Sequence, residues 1–122
     1  MPQKKNKKLG QLEYGQEIAL SKRNSRNFKK GNVLIENKLD LHGFTENEAK
    51  NKLEFFINNN AENGKRLLLV ITGKGEKGSG VIKNNIKNWL NEKKLRDKIQ
   101  AVNYASRKHG GQGALYILLR KF

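Results

Sequence analysis

The feature that most constrains this chain is a run of five consecutive apolar residues, Leu67-Leu68-Leu69-Val70-Ile71. Side chains alternate between faces along a strand, so an uninterrupted apolar run needs cover on both sides. Such a run suits a parallel strand packed under helices. Its flanks have the matching patterns. Upstream, Val33-Leu34-Ile35 reads as a lead-in strand, and Leu39 to His42 as a strand that ends at Gly43. Thr45 follows as an N-cap with Glu48 three residues on, a capping box. The helix it opens places Ala49, Leu53, Phe56 and Ile57 on one face and stops near Asn60 to Gly64.

Downstream of the run comes a glycine-rich loop, Gly73 to Gly80. A second helix follows, with Ile82, Ile86, Trp89 and Leu90 as its buried face. Ile99 to Ala105 reads as a third strand, Ser106 to Gly113 as a basic glycine-rich turn, and Leu115 to Leu119 as a fourth strand. The order is βαβαββ. Two right-handed crossovers and a final antiparallel hairpin give an α/β fold, a two-layer sandwich on a four-stranded mixed sheet. Trp89 and Phe56 fall at apolar helix positions and are expected in the core.

Charge narrows the partner. The chain has 122 residues, 26 Lys plus Arg against 11 Asp plus Glu, and a net charge of +15. An excess of this size is the electrostatic footprint of a protein that meets a polyanion, DNA, RNA or a ribosome. Residues 1–31 carry nine Lys/Arg against two Glu and few large apolar residues. They read as a disordered or loosely attached basic arm, in which Leu12 to Leu20 could form a short helix, ahead of a folded domain at 32–122. There is no Cys, which excludes a disulfide frame or thiolate chemistry. No apolar run approaches the ~20 residues of a membrane span, and no apolar stretch follows the basic start as in a signal peptide. The expected setting is cytoplasmic, without a membrane partner, and the expected state is a monomer.

Three segments have the residues for chemistry. Asp40 and His42 are two apart in a strand, so both point to one face while Leu39 and Leu41 point to the other. A carboxylate beside an imidazole is a general-base pair; two polar residues facing water at a strand end is the plainer reading of the same spacing. Gly43 lets the chain turn out of the strand. In the second segment, Thr72-Gly73-Lys74-Gly75 leads from a buried strand toward a helix, where backbone N–H groups, Lys74 and Lys77 can receive a phosphate. Gly73, Gly75 and Gly78 match the dinucleotide spacing, but the chain is too short for that fold and the next strand ends without an acid. The third segment, Arg107-Lys108-His109-Gly110-Gly111-Gln112-Gly113, is either a backbone-phosphate clamp or a solvated hairpin tip. All three leave the carboxyl ends of parallel strands, where open α/β sheets place ligands. The stripe Lys83, Lys87, Lys94 fits a solvated helix face.

The succession Leu39-Asp40-Leu41-His42-Gly43, Thr72-Gly73-Lys74-Gly75 and His109-Gly110-Gly111-Gln112-Gly113-Ala114 resembles the Smr (small MutS-related) domain, in its stand-alone bacterial form, over about Leu39 to Phe122. The resemblance implies a fold like the C-terminal domain of translation initiation factor three. It also implies DNA nicking or RNA cleavage. Asp40 and His42 would be catalytic, while Gly43, Thr72, Gly73, Lys74, Gly75, Lys77, Arg107, Lys108, His109, Gly111 and Gly113 would serve phosphate binding. The family's second motif usually opens with His; here Thr72 stands in its place. A divalent cation, Mg or Mn, is compatible with such activity, although one or two carboxylates make a thin ligand set, and no metal site is assigned. The alternative function is a non-catalytic nucleic-acid- or ribosome-binding module.

Overall fold

The computed structural model describes residues 10–14, 34–74 and 80–120. Four strands, β1 (Asn37–Asp40), β2 (Leu67–Ile71), β3 (Ile99–Tyr104) and β4 (Ala114–Leu119), form one sheet in the order β1-β2-β4-β3. β1 and β2 are parallel, and β4 is antiparallel to both β2 and β3. β4 is therefore inserted between β2 and β3, and β1, β2 and β3 all run the same way. Their carboxyl ends share one edge of the sheet, where β4 begins. This is the mixed α/β topology that the βαβαββ pattern implies.

The helices are α1 (Glu46–Glu62), α2 (Gly80–Leu90) and a single turn, α3 (Lys93–Arg96). The capping box at the start of α1 is complete: the Glu48 N–H donates to Thr45 Oγ1 at 3.2 Å and the Thr45 N–H to Glu48 Oε1 at 3.0 Å. These two bonds satisfy amides the helix itself leaves orphaned. Both carboxylates of the first turn, Glu46 and Glu48, also oppose the positive end of the helix dipole.

Packing follows the apolar spacing. Ala49, Leu53, Phe56 and Ile57 of α1, and Ile82, Ile86, Trp89 and Leu90 of α2, lie in one cluster with Leu68 and Val70 of β2 and Leu115, Ile117 and Leu119 of β4. The alternate residues of those strands, Leu67, Leu69, Ala114, Tyr116 and Leu118, form a second buried cluster on the other face, against which Ile35 packs. β2 is thus covered on both sides, as its unbroken apolar run requires. Salt bridges from Lys50 to Glu92 (3.1 Å) and from Lys94 to Glu54 (3.0 Å) link α1 to the segment after α2.

Four sequence expectations change. Leu34 to Glu36 do not form a strand; Leu34 is 79% exposed, and Glu36 bonds to Leu67 at the start of β2, its N–H donating to Leu67 O (2.8 Å) and its carboxylate accepting the Leu67 N–H (3.4 Å). Asp97, which follows α3 directly, ends a helical turn that the apolar spacing after Leu90 did not announce. The lysine stripe is not simply solvated: Lys87 pairs with Glu13 at 2.8 Å, and Lys94 with Glu54.

The fourth change concerns the arm. Residues 10–14 are docked on the domain, and Leu12 is fully buried in the main cluster. Its N–H donates to Asn91 Oδ1 at 2.6 Å, and Asn91 Nδ2 donates back to Leu12 O at 3.3 Å. Arg96 Nε donates to Gly10 O at 2.7 Å, and the Tyr14 and Tyr104 rings lie 4.7 Å apart. Burial of one leucine with its backbone bonds satisfied offsets part of the ordering cost of this short segment. The rest of the expected arm, and any helix beyond Tyr14, lie outside the described residues. Replacing Leu12 by Ala is expected to destabilise the domain by about 2–5 kcal/mol, the range for a buried leucine. A urea midpoint unchanged from that of the parent protein would show that the segment is not part of the core.

Candidate functional site

The shared strand edge is assembled by backbone hydrogen bonds between its loops. The Leu41 N–H donates to Ile71 O at 2.8 Å, extending the β1–β2 pairing by one residue. The Thr72 and Gly73 N–H groups both donate to Gly113 O, at 2.9 and 3.0 Å. The Ala105 N–H donates to Ala114 O at 3.0 Å. The loops after β1, β2 and β3 are therefore bonded side by side, and the three segments singled out from the sequence do meet at one edge.

Asp40 is the last residue of β1 and His42 follows the buried Leu41, so the strand alternation puts the two polar side chains on the same side. Asp40 Oδ1 lies 2.7 Å from His42 Nδ1 and also accepts the His42 backbone N–H at 3.0 Å. One carboxylate oxygen thus fixes both the ring and the chain that carries it. Gly43 then takes φ +86°, a left-handed conformation that a side chain would strain, and the chain turns toward Thr45. The His42 and Asp40 side chains are 67% and 48% exposed, so a ligand reaches them from solvent directly. Partial burial pushes the Asp40 pKa up, but the side-chain and backbone hydrogen bonds from His42, with its charge, outweigh this and hold the carboxyl below its ordinary value. With Nδ1 held by the carboxylate, Nε2 is the ring atom available for proton transfer.

The second segment works differently from expectation. Thr72 is buried, and its hydroxyl donates to Gly73 O at 2.9 Å and to Gly113 O at 3.4 Å. It secures the loop junction and does not face a phosphate. The Gly73 N–H is spent on Gly113 O. Lys74 is exposed, and its carbonyl accepts from Lys83 Nζ at 3.5 Å. Gly75 and Lys77 lie outside the described residues.

In the third segment two single-turn 3₁₀ helices, Arg107–His109 and Gly111–Gly113, replace an open hairpin tip. The Gly111 N–H donates to Ser106 O and the Gly113 N–H to Gly110 O, both at 2.9 Å. Gly113 is itself buried. The expected cradle of glycine amides is thus closed on itself at Gly73, Gly111 and Gly113, because short turns satisfy their own N–H groups. Arg107 and Lys108 remain as exposed cations, with His109 half-buried beside them. The groups that this loop leaves toward solvent are therefore side chains. The sequence reading also missed Tyr116 and Ser106: Tyr116 Oη lies 2.6 Å from His109 Nδ1 and 3.2 Å from Ser106 Oγ. The available signal was a tyrosine within an otherwise aliphatic strand, whose hydroxyl must find a partner.

Among the described residues, no three His, Asp or Glu side chains stand together as a metal-ligand group. Asp40 is committed to His42.

The mixed sheet with an Asp-x-His strand end and glycine-tight loops is that of an α/β domain, and the Smr domain family model matches residues 39–120. The chain belongs to that family. Two solved structures are similar. One is YdaL, a stand-alone small MutS-related protein from Escherichia coli, 31% identical, TM-score 0.62, with 79% of this chain and 73% of that chain covered. The other is the Smr domain of Thermus thermophilus MutS2, 24% identical, TM-score 0.59, with 69% of this chain and 98% of that chain covered. Comparison with curated proteins returns no significant match.

Two outcomes are expected from this geometry. A Cβ on Gly113 would lie 3.3 Å from the Gly73 carbonyl carbon and 3.0 Å from Lys74 Cγ. The lysine can move but the backbone cannot, so Gly113→Ala should cost about 1–3 kcal/mol; a chemical melt checks it. Asp40, followed by carboxyl-carbon NMR, should protonate below the ~3.9 of a free aspartate. The contribution of its pairing is therefore full above that value and is lost as pH falls through the lowered one. Both groups are well exposed, so this contribution to stability is small.

Proposed function

We propose that this protein is a nucleic-acid-binding endonuclease of the Smr type, which cleaves a phosphodiester bond at the edge formed by Asp40, His42 and the two neighbouring loops. The observation that carries the reading is the 2.7 Å pairing of Asp40 with His42 on an open strand end, beside the exposed Lys74, Arg107 and Lys108 of a chain with net charge +15. Asp40 holds the His42 ring by Nδ1. His42 Nε2 takes a proton from water or, on RNA, from the 2′-hydroxyl; that oxygen attacks phosphorus as the P–O bond to the leaving sugar oxygen breaks, and the leaving oxygen takes up a proton from solvent. Lys74 and Arg107 hold the strand and offset the charge that develops on the phosphoryl oxygens. The same charge raises affinity for any sequence. A cytoplasmic setting belongs to this reading.

One observation favours the second reading, a binding module without catalysis. The dyad stands in solvent, and the amides of Gly73, Gly111 and Gly113 are already paired, which leaves no backbone oxyanion site among those glycines. The assay that separates the two uses purified protein with supercoiled plasmid and with end-labelled RNA, in EDTA, Mg²⁺ and Mn²⁺. Nicks or cuts that fall at least about a hundredfold on His42→Ala, the usual scale of a general base, support the endonuclease. Salt-sensitive binding with no product in any condition supports the module.

A further inference from the structure

The proposed chemistry uses one histidine, but the other is held as deliberately. Tyr116 lies in β4, on the sheet face opposite the helices, and is 1% exposed. A buried phenol needs hydrogen-bond partners, and this one finds them in the loop after β3. Its oxygen accepts the Ser106 backbone N–H at 3.3 Å and meets Ser106 Oγ at 3.2 Å and His109 Nδ1 at 2.6 Å. The His109 ring stands edge-on to the phenol, with centroids 5.6 Å apart and planes at 75°. The single phenolic proton goes either to Ser106 Oγ, with Nδ1–H donating to the phenol, or to Nδ1. Nδ1 is occupied in both layouts; in the second, the neutral ring carries its own proton on Nε2, which is then a donor without a partner among the described residues, and this is the layout a phosphate contact requires.

The two histidines are thus held alike, each by Nδ1, but by different chemistry. His42 is held by a carboxylate two residues away, and His109 by a phenol from the neighbouring strand. We propose that Tyr116 is a positioning residue. It locks His109 so that Nε2 contacts a backbone phosphate of a strand lying across the Asp40–His42 edge, next to Arg107 and Lys108. This rests on the nucleic-acid reading above and assigns it a second contact point. The amides of Gly111 and Gly113 are paired within the loop, so a phosphate contact there would have to come from side chains.

The test uses the full chain with Tyr116→Phe, His109→Ala, His109→Gln and the double variant that combines Tyr116→Phe with His109→Ala. Affinity is read by anisotropy on a short oligo-uridine and a short oligo-thymidine, and ring nitrogens by ¹⁵N NMR. Each of Tyr116→Phe and His109→Ala should weaken binding about tenfold, the worth of one hydrogen bond to a charged group. The double variant should lose no more than either single. His109→Gln, whose amide reaches the Nε2 position, should recover part of the affinity. Tyr116→Phe should move the His109 nitrogen resonances and leave those of His42 in place. Wild-type affinity in both single variants, or losses that add in full, would overturn the positioning role. If Tyr116→Phe does not fold, the half-buried His109 variants decide through binding: loss with Ala and recovery with Gln supports the proposal, and equal affinity rejects it. The nucleic-acid reading fails separately, if the parent protein binds neither oligonucleotide; the catalytic reading fails separately, if cleavage survives His42→Ala.

Discussion

The edge of this domain depends on one carbonyl. Gly113 O accepts two consecutive amides, Thr72 and Gly73, at the point where β2 ends and β4 begins. β4 can then enter the sheet between β2 and β3, antiparallel to both, while three parallel strands deliver their loops to the same place. The approach is close enough that a side chain on Gly113 would press on the Gly73 backbone. The Thr72 hydroxyl closes the same junction from within. A polar side chain in a motif that resembles a binding loop is here part of the frame.

On that frame the working groups are side chains. The amides of Gly73, Gly111 and Gly113 are satisfied within the turns, so these glycines supply shape and not charge. Two histidines stand at the edge with one nitrogen each tied down, His42 by the carboxylate two residues before it and His109 by a phenol seven residues after it. The first pairing is local and survives in any strand that continues through Leu41. The second needs β3, its loop and β4 in their final places.

Much of the fold was legible because its signals are local. The Thr45–Glu48 box, the apolar faces of α1 and α2 and the unbroken β2 run each specify an element within a few residues, and each formed where the spacing put it. The docking of Leu12 was not legible. Its environment is otherwise polar and basic, and only Asn91, 79 residues away, supplies the paired hydrogen bonds that hold it. The turn at α3 was missed for a related reason: its one buried side chain, Leu95, gives no period.

What the sequence by itself determined is the order of elements, the family, and the Asp40–His42 pair, because strand alternation alone sets two such side chains on one face. What only the tertiary structure decided is which remaining motif residues face outward. Thr72, Gly111 and Gly113 carry the marks of a phosphate loop in the sequence, yet their polar groups turn inward. Tyr116 carries no such mark, yet reaches the site. Hydrogen-bond satisfaction is a property of the assembled edge: a donor is available to a ligand only when no neighbour brought in by the fold has already taken it.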